Sequence, residues 1–150
     1  MKARIDQQRF DAFAEHLVVL DAKLQTFAAN HDFALEINPF RQPCRYLRRP
    51  GNPHYLVDIS LDRYWVSADL EEDMQHSVTA IAYYRPADEP DVVWRKAVVV
   101  MESLPFSQLV QLLDNALQDA VGLISQWSPE TIMRSGEKQE NLGFKFRDHF

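Results

Sequence analysis

Glycine, cysteine and long apolar runs are all scarce in this chain. Four glycines in 150 residues are too few for a glycine-cradled phosphate loop or a loop-dominated fold. The single cysteine, Cys44, can form no internal disulfide, so nothing calls for an oxidising compartment. No segment approaches the roughly 18 uninterrupted apolar residues of a membrane span. The start, Met1-Lys2-Ala3-Arg4, leads into an amphipathic stretch rather than the apolar core of a signal peptide. The expectation is a cytoplasmic chain with no membrane association. No catalytic, metal or nucleotide motif is recognisable, and no cofactor, metal or internal repeat is expected.

What is present is ordinary globular material, 46% hydrophobic and 25% charged, in a length that suits one domain with a real core. The net charge of −6 disfavours non-specific nucleic-acid binding, which depends on neutralising phosphates. The charge is uneven. Arg41, Arg45, Arg48 and Arg49 stand in residues 41–54 with no acid among them. Residues 58–73 hold Asp58, Asp62, Asp69, Glu71, Glu72 and Asp73 against Arg63 alone.

Residues 5–29 carry Phe10, Phe13, Leu17, Leu20, Leu24 and Phe27 at helical spacing, which predicts a long amphipathic helix with a stop near Asn30-His31-Asp32. Residues 33–38 alternate as a short strand. Tyr46 and Leu47 lie between Pro39, Pro43, Pro50 and Pro53, which suggests a short edge strand. Pro50-Gly51-Asn52-Pro53 is a turn signal. A meander follows, with strands expected at 55–61, 64–70, 78–84 and 92–102 and an acidic loop at 69–76. A second helix is expected at 104–127, with Ser103 as its N-cap and Pro105 in its first turn. Ser128-Pro129 ends it. Residues 1–130 form the expected domain. Residues 131–150 form a tail, docked or disordered, whose alternating Phe144 to Phe150 segment suits an edge strand. The predicted fold is α+β: a two-layer sandwich of helix, antiparallel meander of four to five strands, and helix, with both helices on one sheet face.

The second sheet face is the first candidate surface. It is expected to carry Leu56, Asp58, Trp65, Ile81, Tyr83, Trp94, Lys96 and Val98. A sheet with one wet face is polar there, whereas Trp65, Tyr83 and Trp94 make an aromatic patch of the kind that protein interfaces favour. The competing reading is that the arginine-rich segment or the tail covers them, or that the strand register is off by one. Asp69, Glu71, Glu72 and Asp73 would steer a basic partner. Their spacing lacks the glycine and alternation of a calcium loop. Arg45, Arg48 and Arg49 offer anion binding, weighed against simple pairing with the acids of 58–73. Gln108, Gln111, Asn115 and Gln118 give the second helix a neutral amide face, suited either to solvent or to a dimer contact.

In size, acidity and element order the chain resembles immunity proteins and bacterial secretion chaperones. The two-faced strands point to a non-enzymatic adaptor whose partner is another protein, a second copy in a homodimer, or both. The alternative is a small-molecule binder or hydrolytic enzyme with a cleft near Asp58, Arg63 and His76, although no spacing among them specifies a reaction.

Overall fold

The computed structural model describes residues 7–38, 44–61, 76–104 and 106–140. In chain order these form α1 (Gln7–His31), β1 (Ala34–Asn38), β2 (Cys44–Arg49), β3 (His54–Ser60), β4 (His76–Tyr84), β5 (Val92–Leu104), α2 (Phe106–Ile124), α3 (Pro129–Ser135) and β6 (Glu137–Glu140). The six strands make one sheet in the order β1-β2-β3-β4-β5-β6, antiparallel at every step. The fold is α+β, with the helices packed on the sheet.

Local chemistry sets the ends of the elements. α1 stops in a Schellman arrangement. Asp32 adopts φ 60°, and the Phe33 amide reaches back to the Ala28 carbonyl at 3.0 Å. Aspartate tolerates this left-handed position better than most residues. Between β2 and β3, Gly51 sits at φ 147°, a conformation that a side chain would strain. The next residue, Asn52, uses its side-chain amide like a short strand. It donates to the Arg85 carbonyl at 2.7 Å and accepts from the Arg85 amide at 2.8 Å, tying this turn to the loop after β4. Ser128 caps α3 by accepting from the Thr131 amide, with Pro129 in the first turn, where its missing N–H costs nothing.

The core lies on one sheet face. Leu47, Val57, Ile59, Val78, Ala80 and Ala82 meet Leu20, Leu24 and Phe27 of α1, Leu109, Leu113 and Leu117 of α2, and Ile132 of α3 in one cluster. Each fully buried leucine contributes about 2 kcal/mol through water exclusion. Alanines at positions 80 and 82 of β4 leave room for α2, which lies across that strand. Tyr55 extends from the same face and donates to the Trp127 carbonyl at 2.7 Å, while the Lys96 ammonium lies 5.2 Å from the centre of the Trp127 ring.

Two expectations need correction. First, β2 is not an edge strand; it lies between β1 and β3, and every proline around it falls outside Cys44–Arg49. Past residue 130, Ile132 packs in the core and β6 pairs with β5, so residues 131–140 dock on the sheet. Second, Trp94, Lys96 and Val98 lie on the helix face. They pair with Tyr84, Ala82 and Ala80, and Trp94 and Val98 pack against the core. The described ion pairs of Arg45 and Arg48 run to α1 and β1. Arg45 forks onto Asp21 of α1 at 2.7 and 3.0 Å, and Arg48 pairs with Glu36 of β1. Arg49 donates to the His31 carbonyl and covers the Phe33 ring, a favourable place for a cation at a helix C-terminus. The expected strand 64–70, the acidic loop and the Phe144–Phe150 segment lie outside the described residues. No helix among the described residues is long and apolar enough to cross a membrane.

Candidate functional site

Strand register defines the face opposite the helices. Directly paired residues point to the same side, so Glu36, Tyr46, Asp58, Thr79 and Val99 form a row across five strands. Below it run Arg48, Leu56, Ile81 and Ala97, then His54, Tyr83, Arg95 and Glu137. No described helix packs here. The face is nonetheless closed over part of its area, since Cys44, His54, Leu56, Ile81 and Val93 are buried. Toward the open part, Val99 is 51% exposed.

Asp58 is the electrostatic centre of this face. Burial raises its carboxyl above the ordinary range of 3.8. The Ser60 hydroxyl donates to it at 2.9 Å, and Arg95 and Arg48 oppose the shift from either side. Beside it, Tyr46 is pushed up to about 12 by burial first, then by the Asp58 charge and by Cys44. The Arg48 guanidinium stands 5.3 Å from the Tyr46 ring centre. Burial, reinforced by Asp58, also raises the Cys44 thiol. At neutral pH both Tyr46 and Cys44 therefore hold their protons. A protonated, buried thiol is a poor nucleophile, so this cluster supplies hydrogen-bond donors and paired charge.

The raised Asp58 carboxyl has a definite pH signature. Its folded-state value lies above the unfolded 3.8, so the unfolded chain ionises first as pH rises. Stability is lost upward through that window and regained as pH falls back toward 3.8. Asp58→Asn should raise stability by about 1 kcal/mol at pH 7. Its advantage over the wild-type protein should close as pH falls toward 3.8. Urea titrations of both proteins across that range check it, and a constant offset would rule out burial of the charge as the cause.

The structure separates the remaining candidates. Tyr83 is on the helix-free face, half-buried, its ring 6.4 Å from that of His54. Trp94 is on the other face, so the two do not share a patch. Asp58 and His76 also lie on opposite faces, because Ser77 pairs with Ser60 and His76 is the next residue on β4, buried to 1% exposure. Trp65, Arg63, Asp69, Glu71, Glu72 and Asp73 lie outside the described residues. Arg45 and Arg49 sit on the helix side and Arg48 on the other, so they do not converge on one anion. Among the described residues no three His, Cys, Asp or Glu side chains gather as a metal site. Tyr46, Cys44 and Arg95 were missed as neighbours of Asp58. The alternation of Cys44, Tyr46 and Arg48 around Leu47 carried that signal for the first two.

A cleft of about 470 Å³ lies between α1 and α2 and is lined by Lys23, Thr26, Phe27, Asn30, Asp114 and Gln118 among others. Lys23 spans it to Asp114 at 3.3 Å. Comparison with protein-family models, with curated proteins and with solved structures finds no match to this chain.

Proposed function

We propose that this chain is a non-enzymatic, cytoplasmic protein-binding module that engages its partner through the helix-free face of the sheet. The observation that carries this reading is the segregation of the fold. All three described helices and the main core occupy one side, while the other presents the row of Tyr46, Asp58, Thr79 and Val99 flanked by Tyr83, Arg95 and Arg48. Half-buried tyrosines and arginines around small apolar residues are the chemistry of interface anchors. The connection between β3 and β4 carries Asp69, Glu71, Glu72 and Asp73, which suits a partner with a basic surface and an encounter steered by charge. The lone Cys44, with a protonated thiol, fits a reducing compartment.

Ala97 and Val99 are exposed at the centre of the open area, so an Ala97→Arg/Val99→Arg variant blocks the face without touching the core. Leu112→Arg, on exposed surface of α2, is the matched control. A partner captured from host lysate by the immobilised wild-type protein should lose affinity by tenfold or more, about 1.4 kcal/mol, for the face variant and bind the control unchanged. A partner held equally by both variants, or none held by the folded wild-type protein, would defeat this reading.

A further inference from the structure

The two edges of the sheet are built differently. β6 pairs only with Val92–Arg95 of β5, so the outer rim of β5 from Lys96 onward has no described neighbour. That rim is irregular. The pairing of β5 with β4 shifts register at His76/Ser77 and again at Val78/Thr79. Bulges and lysines are devices by which natural sheets keep an edge from pairing with another chain. β1, the opposite edge, has neither. Its residues pair with β2 without a shift, it contains no proline or lysine, and its one charge, Glu36, is held by Arg48 of the same sheet.

β1 also carries apolar surface. Ile37 is 45% exposed and Val18 is 70% exposed. Both belong to the same flank. Ile37 pairs with Arg45, Arg45 grips Asp21, and Val18 precedes Asp21 by about one turn of α1.

We propose that β1 is a self-association edge, through which two copies of this chain pair antiparallel about a two-fold axis and join their sheets into one. A second copy is the occupant because the strand complements itself. With Ile37 on the axis, Ile37 meets Ile37 of the other copy on the helix side. On the other side Glu36 faces Asn38 of the other copy, so no like charges oppose. Antiparallel pairing keeps each face continuous, which brings Val18 of both copies to the same side of the joint. The contact is isologous and closes on itself, as two-fold dimers do. It uses a different surface from the partner-binding face, so either can fail without the other.

Sedimentation velocity of the full chain from low to high micromolar concentration tests the proposal. A concentration-dependent dimer is expected. Ile37→Lys, which sets like charges opposite each other on the axis, should weaken it by about tenfold or more, and Val18→Lys should weaken it less. Val99→Arg should leave it intact. A monomer throughout, or a dimer unchanged in a folded Ile37→Lys protein, overturns the proposal. If Ile37→Lys does not fold, amide exchange of the wild-type chain decides. Residues 34–38 should gain protection as concentration rises while residues 96–99 do not, and no such gain in a proven dimer overturns it.

Discussion

Gly136→Ala is expected to destabilise the protein by about 3 kcal/mol. Gly136 ends α3 and opens β6, and its amide donates to the Ile132 carbonyl at 2.8 Å. A Cβ built there would press on that same carbonyl oxygen and stand 2.7 Å from the Arg95 carbonyl oxygen. Both obstacles are backbone, so no rotamer change relieves them. Either the cap of α3 opens or the first pair of the β5–β6 ladder separates. Urea denaturation should show a lower midpoint with an unchanged slope. An unchanged midpoint would mean that residues 131–140 dock as a tail outside the cooperative unit. Ile132, wholly buried, gives an independent check. Its truncation to alanine should cost about 3 kcal/mol by leaving a cavity.

Asp21→Ala should cost about 2 kcal/mol, while the double change Asp21→Leu/Arg45→Met should cost less than that single one. Arg45 stands beneath α1 with its side chain 8% exposed, and Asp21 keeps 28% of its own side-chain surface in water. Removing the acid takes an opposite charge and two hydrogen bonds from a guanidinium that has little solvent to replace them. Removing both leaves no charge to satisfy, and a methionine stem fills much of the volume that the arginine stem occupied. The pair ties α1 to β2. A double-mutant cycle in urea measures the coupling. A double variant less stable than Asp21→Ala would show that the pair itself, rather than the uncompensated charge, carries the energy.

Much of the architecture was legible because its signals are periodic. Leu17, Leu20, Leu24 and Phe27 mark α1, Leu109, Leu113 and Leu117 mark α2, and Val57 and Ile59 of β3 with Val78, Ala80 and Ala82 of β4 recur at every second position. The failures fall where periodicity is absent. Val92, Val93 and Trp94, and again Val98, Val99 and Val100, are apolar at both parities. No pattern there chooses a face, and two register shifts in the pairing of β5 with β4 disturb what alternation remains. β6 is polar at every position, so nothing marks it as a strand. Its place comes from the α3 turn that delivers it to β5. Pro43 and Pro50 delimit β2, though they read as a sign of an edge. The partners of Arg45 and Arg48 come from α1 and β1, and charge spacing along the chain carries no such information. Of the candidate site, Asp58 and Tyr83 were legible as members of one face, while their charged neighbour Arg95 required the register.

The strict strand order has a kinetic side. From β1 to β5 each strand follows directly on its neighbour, so these ladders join residues close in sequence and the entropy of closing each loop stays small. The α1–α2 contact is of another kind. Lys23 and Asp114 are separated by 91 positions, and the packing that α1 completes can form only once the distant α2 is in place. Closing the α1–α2 contact therefore costs more chain entropy than closing any ladder between neighbouring strands from β1 to β5.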